Sequence, residues 1–324
     1  MIKIKATVGS GIITSLNTQH MKSILIAGGT GLVGKHLSKT LVEKGYQVSH
    51  LSRRENLQAK YPAYRWDLKE KFIDPKAIKQ ADIIINLAGS NIGEGRWTKA
   101  SKKIAIDSRV IGNELLHQYV KQHQPNLEAF IAASAMGYYG DREDEILGED
   151  SPAGSGGFLV ECCTLWEKAI HSFDDTNIRT IIFRIPLVLS TQGGALSKML
   201  PSYQFGLGAF FGDGQQWYSW VHPEDISNMF ITAIENKNWS GTFNAGTPNP
   251  VRNKEMAVAI KKALNKFALV LPAPALFLKI GLGEMSSSVL GSTRLSAKKI
   301  LDAGFKFQHP ELVPALQDII KRKL

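Results

Sequence analysis

Apolar positions along the chain fall into short, β-branched runs separated by longer amphipathic stretches. ILIA (from Ile24), VSHL, DIIINLAG, AFIAAS and RTIIFRI alternate with segments in which apolar residues recur at helical spacing, the longest running from Trp97 to His123. That alternation predicts stacked βαβ units on a parallel sheet, and strands so uniformly apolar suit a sheet covered on both faces. The expected fold is therefore α/β, a doubly wound Rossmann sheet over residues 21–185. Beyond Pro186 the texture changes to Gly-rich and aromatic loops, GGALSKML and FGLGAFFGDGQQWYSWVH, followed by a helix near Glu224–Glu235, a short strand near Thr242 and a Pro-punctuated end. A smaller C-terminal α/β domain is predicted over 186–324, with the segment near 221–247 returning to the first domain. Residues 1–20 precede the first strand without a pattern of their own and are expected to be a poorly ordered extension.

Gly28, Gly31 and Gly34 form G-x-x-G-x-x-G directly after the first strand and at the start of a helix. In that context glycines permit a tight turn and close backbone approach, and the unpaired amides of the helix start receive a pyrophosphate. Gly28, Thr30, Gly31, Leu32, Val33 and Gly34 are the expected phosphate-loop contacts. Where an NAD site places a carboxylate for the ribose, the second strand here ends in Ser52-Arg53-Arg54. A hydroxyl followed by guanidinium groups suits a 2′-phosphate, so the expected cofactor is NADP(H), with Ser52 and Arg53 as the selective residues; a solvated basic turn is the competing reading. Leu87, Ala88 and Gly89 close the fourth strand with small residues that leave room for the cofactor. Asp67 serves equally well as an acceptor for the adenine amino group or as a local cap.

Composition adds limits. The chain has 324 residues, 44% of them hydrophobic, with a formal net charge of +10. The Lys and Arg are dispersed without a basic block, which argues against nucleic acid as a partner and fits an anionic small molecule. The stretch Leu269–Gly283 is interrupted by Pro272, Pro274 and Lys279 and is too short for a bilayer span. No secretory pattern opens the chain, and Cys162 and Cys163 are adjacent, so a reducing cytoplasm is the expected location. The eight histidines show no metal-ligand spacing.

GGTGLVG, NLAGSNI, RWTKASKKIAIDSRV, SAMGYYG, GGALSKMLPSYQFGLG, QWYSWVHPEDI and LPAPALFLKIGLGEMSSSVLGSTRLSAKKILDAGF together resemble the YfcH-type epimerase family, an atypical branch of the extended short-chain dehydrogenase/reductases. The resemblance implies an NADP(H) Rossmann domain and a C-terminal domain closing over a cleft for a small, nucleotide-sugar-like substrate. Extended members act through a Ser on the fifth strand and a Tyr-x-x-x-Lys on the next helix. Ser134 matches the Ser, but counting back from Glu167 places Leu159 and Cys163 at the Tyr and Lys positions. Ser134, with Tyr138 or Tyr139 as a substitute proton donor, is the expected catalytic set; aromatic packing competes for the tyrosines. Arg109 replaces an active-site Asn of the family and is expected to hold the cofactor or an anionic substrate, a structural salt bridge being the alternative. His222 has an equivalent in extended members that looks structural, and Trp217, Trp220 and Arg294 are candidate cleft contacts. The reading is an NADP(H)-dependent oxidoreductase or epimerase; the altered Tyr and Lys positions keep open a non-catalytic NADP(H)-binding protein with a regulatory role, as a cell-division label on some relatives suggests. The oligomeric state is not legible.

Overall fold

The structure is a computed structural model that describes residues 21–123 and 125–324. The expectation for residues 1–20 lies outside the described residues. An eight-stranded sheet forms from β1 (Ser23–Ala27), β2 (Gln47–Ser52), β3 (Ala63–Asp67), β4 (Phe72–Ile73), β5 (Ile83–Asn86), β6 (Ala129–Ala135), β7 (Arg179–Ile185) and β8 (Gly241–Asn244), in spatial order β8-β7-β6-β5-β1-β2-β3-β4. Every pairing is parallel except β3 with β4, which is an antiparallel edge. The order reverses at β1, where β2 lies on one side and β5 on the other, and this leaves a crevice beyond the carboxyl ends of the strands.

Both faces are covered, as the apolar strands require. On one face α1 (Leu32–Glu43) buries Leu37 and Leu41, and the returning helix Pro223–Glu235 buries Ile226, Met229, Phe230 and Ile234. On the other, α2 (Lys99–His123) contributes Leu115, Leu116 and Val120, and α3 (Phe158–Ile170) contributes Trp166 and Ile170. The second, smaller core gathers Leu196, Tyr203, Trp220, Met256, Ile260, Leu316 and Ile319. The chain crosses between the two cores once more than the sequence suggested, because Ala297, Ile300 and Phe305, near the short helix Lys298–Asp302, belong to the Rossmann core. Among the described residues no helix is long and apolar enough to cross a membrane.

Candidate functional site

The turn between β1 and α1 is shaped by backbone contacts that admit no side chain. Gly28 has φ +80°, and a Cβ there would lie 2.8 Å from the Leu87 carbonyl; one on Gly34 would lie 2.4 Å from the Gly28 oxygen. Gly29, not singled out by the motif, faces His50, whose Nε2 would be 2.3 Å from a Cβ. His50 in turn bonds Ser38 Oγ at 2.8 Å, and Ser38 donates to the Gly34 oxygen at 2.7 Å. With the hydroxyl proton directed at that carbonyl, His50 Nε2 carries the hydrogen of the pair, and burial holds its pKa below the ordinary value. Gly31 differs: its Cβ would meet the Gly28 oxygen alone, at 3.3 Å. It caps α1 without a side-chain hydrogen bond, and the first turn carries no acid. The amides of this helix start are therefore available to an anion, and the glycine leaves space for one. Thr30 is exposed at the turn, Leu32 faces the cavity described below, and Val33 packs on the core.

Ser52, Arg53 and Arg54 leave β2 beside this turn, since Leu51 pairs with Ala27. Ser52 is half-buried and both arginines are exposed. Asp67 accepts the N–H groups of Lys69 at 2.9 Å and Glu70 at 3.2 Å, the local cap among its two readings. Leu87-Ala88-Gly89 is fixed by Asn86, whose Oδ1 accepts the Ala88 N–H at 3.0 Å and whose Nδ2 donates to Asn113 at 2.9 Å.

Arg109 comes from α2 and is 8% exposed. Its guanidinium lies over Trp166, 4.8 Å from the ring centroid, and against Gly89, where a Cβ would be 2.7 Å from Cζ. Nη1 donates to Ser90 O at 3.2 Å and Ala105 O at 3.0 Å. Among the described residues no carboxylate pairs with it, so the salt-bridge alternative has no partner.

The expected catalytic residues Ser134, Tyr138 and Tyr139 all meet partners within the protein. Ser134 is not among the residues that line the cavity described below. It is 2% exposed and donates to Glu167 Oε1 at 2.6 Å. Glu167 is held by Arg184 through Nε at 2.9 Å and Nη2 at 2.8 Å, a bidentate buried pair. Arg184 Nη1 also donates to the Tyr139 phenol at 2.8 Å, and that phenol lies 2.8 Å from Asn244 Oδ1 and 3.0 Å from Gly148 O. Tyr139 is enclosed, and burial pushes its pKa up to about 12. Tyr138 is half-buried with the Arg184 guanidinium 3.7 Å from its ring centroid. One joined network takes up Ser134 and Tyr139, and Tyr138 is packed against its arginine.

The residue of β6 that does reach the cavity is Ala135. A cavity of about 1610 Å³ opens between the two cores, lined on the Rossmann side by Arg109, Ala135, Met136, Gly137, Leu159 and Cys163, and opposite by Gly193, Gly194, Phe211, Trp217, Tyr218 and Thr293. Leu159 and Cys163 stand where the Tyr and Lys were sought, packed on Gly137 so closely that a Cβ there would be 3.1 Å from Leu159. Burial raises the Cys163 thiol pKa well above its ordinary value. Trp217 lines the cavity, stacked between Arg252 and Arg294 with each 4.1 Å from its ring centroid. Trp220 does not: it is fully buried in the second core and donates to Asn249 O at 2.9 Å.

His222 lies outside this cavity. Its Nδ1 accepts the Glu224 N–H at 3.1 Å as a helix cap, and burial brings its pKa down to about 3. Ligand atoms of His222, His309 and Asp318 all lie within 4.8 Å of one another. The two imidazoles stack at 3.7 Å with 23° between planes, so their in-plane lone pairs run side by side and do not converge on one ion.

Comparison with known proteins places this geometry. Residues 24–246 match the NAD dependent epimerase/dehydratase family, and residues 273–319 match a domain of unknown function. The epimerase family protein YfhF of Bacillus subtilis is 35% identical over 300 residues, covering 92% of this chain and 98% of the relative. The human epimerase family protein SDR39U1, solved with NADPH, superposes with a TM-score of 0.83 at 27% identity, over 92% of this chain and 99% of that one. A UDP-N-acetylglucosamine 4-epimerase from Bacillus cereus, at 16% identity and a TM-score of 0.73 over 93% of this chain and 99% of that one, shares the fold. The chain belongs to the NAD dependent epimerase/dehydratase family and has its Rossmann fold.

Proposed function

We propose that this family member is an NADP(H)-dependent oxidoreductase acting on a small molecule held in the cavity, without the Tyr-Lys proton relay of extended dehydrogenases. The observation that carries the reading is the pairing of a glycine turn shaped for a pyrophosphate with an adjoining cavity of about 1610 Å³. Gly28, Thr30, Gly31, Leu32, Val33 and Gly34 would hold the pyrophosphate against the free amides of α1. Ser52 and Arg53 would hold the 2′-phosphate, and Leu87, Ala88 and Gly89 would border the dinucleotide, with Arg109 behind Gly89. When bound, the cofactor supplies hydride chemistry at its nicotinamide ring.

Direction follows from the wall. Oxidising a sugar hydroxyl, the first step of ordinary epimerisation, needs a base at that hydroxyl. Ala135 and Leu159 have no basic atom, and the Cys163 thiol is held protonated by burial. The positions that hold the relay in extended dehydrogenases thus carry no base, which supports reduction of a substrate that can take its proton from water. The same wall favours a second reading, an NADP(H)-binding protein without turnover and with a regulatory role.

Calorimetry tests the cofactor assignment. NADPH should bind at least about tenfold tighter than NADH, about 1.4 kcal/mol, and Arg53→Asp should abolish the preference. Equal affinities in the unaltered protein would sink it. A search for metabolite-dependent change in NADPH absorbance separates the two readings: turnover supports the oxidoreductase, and its complete absence across carbonyl, quinone and enone substrates supports the binding protein.

A further inference from the structure

We infer that Arg109 is the docking point for a carboxylate carried by the small molecule in the cavity, an inference that rests on the reading of that cavity as a ligand site. The guanidinium is 8% exposed and lines the cavity, yet among the described residues it meets no counter-ion. A desolvated cation without a partner is unfavourable, and proteins keep such groups where a ligand supplies the missing charge. Its titratable neighbours, the Cys162 and Cys163 thiols, are themselves pushed by burial toward the neutral form and do not neutralise it.

The orientation is fixed by its surroundings. The guanidinium lies 4.8 Å from the Trp166 centroid and against Gly89, with no room for a Cβ at Gly89. Nη1 is committed to the Ser90 and Ala105 carbonyls, which anchors that end of the fork and leaves Nη2 and Nε without an acceptor among the described residues. Two parallel N–H groups match the two oxygens of a carboxylate. Charge selects between anions. The guanidinium neutralises one negative charge, and its immediate neighbours, the Trp166 ring and the two thiols, supply no second cation for the other charge of a phosphate monoester. A monoanion is the better match. The glycine at position 89 thus has a use beyond the dinucleotide: it lets the arginine lie flat.

Benzoate, benzamide and phenyl phosphate make a matched set of probes for calorimetry on the full chain, with and without NADPH. Benzoate should bind the unaltered protein at least tenfold more tightly than benzamide. Arg109→Met, which keeps the stem packed on Trp166, should erase that discrimination, and Arg109→Lys, which keeps the charge but not the fork, should retain part of it. NADPH affinity in Arg109→Met should fall by less than the benzoate affinity. The inference is overturned if benzoate shows no saturable binding, if benzamide binds equally well, if phenyl phosphate binds more tightly than benzoate, or if NADPH affinity falls in parallel with benzoate, which would make Arg109 a cofactor contact. Failure of NADPH to bind the unaltered protein would defeat the cofactor reading alone, because the cofactor-free titrations still decide the carboxylate. Should Arg109→Met fail to fold, the same comparison is made on Arg109→Lys, where full retention of the benzoate preference would count against the fork.

Discussion

Ser134 and Ala135 are consecutive residues of β6, and their surroundings differ in chemistry: Ser134 is buried in a polar network and Ala135 lines the cavity. Around Ser134 a hydroxyl, a carboxylate, a guanidinium, a phenol and an amide are joined across β6, β7, β8 and α3. Ala135 lines the cavity together with Leu159 and the buried Cys163, which stand at the Tyr and Lys positions. The groups that proton chemistry needs are present within one residue of the cavity, but they are buried and hydrogen-bonded to each other. What the contrast teaches is that residue type near an active-site position says little until the partners of each side chain are known. A buried network of this kind fixes the floor of the site, because each polar atom removed from water must find its partner inside.

The contrast can be broken most strongly at its ion pair. Arg184→Met would leave the Glu167 carboxylate buried without its counter-ion and the Tyr139 phenol without a donor. Unfolding in urea should show a loss of about 3–5 kcal/mol; a loss below about 1 kcal/mol would mean that the network does not hold the floor. Ser134→Ala should have a smaller effect, since Glu167 keeps both bonds from Arg184. A loss of about 1 kcal/mol is expected, with NADPH affinity unchanged. A hundredfold fall in a measured reductase rate at unchanged stability would restore Ser134 to the catalytic role that the family resemblance gave it.

The smallest expected effect is a pH dependence. The Tyr139 pKa of about 12 in the folded chain lies above the ordinary phenol value near 10. Below pH 10 the phenol is neutral in both states and contributes no slope. Between pH 10 and 12 the unfolded chain releases this proton first, so it binds fewer protons than the native state and stability falls as pH rises. Tyr139→Phe should flatten that alkaline decline in a series of urea midpoints, less than completely, because burial also raises Tyr203 and Tyr218. An unchanged slope would mean that the phenol ionises equally well in both states.

Much was legible beforehand. Strand positions, the glycine turn and the covered sheet follow from local pattern, since apolar periodicity and Gly at fixed spacing record which backbone must be buried or closely approached. Gly28 and Gly34 are glycines for contacts within the protein, and Gly31 for the space beyond it. Gly29 was missed because its reason is His50 on the neighbouring strand, a partner that spacing does not reveal. Trp220 read as a cleft residue because its neighbour Trp217 is one, yet it belongs to the second core. Ile300 and Phe305 joined the Rossmann core without a sequence signal stronger than a short apolar pattern.

The sequence by itself determined the family, the doubly wound sheet, the dinucleotide turn and the loss of the Tyr and Lys at Leu159 and Cys163, because each of these is written in contiguous residues whose spacing maps directly onto backbone geometry. Tertiary structure alone decided that Ser134 and Tyr139 are buried in one network, that Arg109 lies against Gly89 and Trp166 and meets no counter-ion among the described residues, and that Ala135 meets the cavity. Side-chain direction and desolvation depend on partners distant in sequence: Ser134 meets Glu167, Tyr139 meets Asn244 and Arg109 meets Trp166 only once the strands and helices have packed.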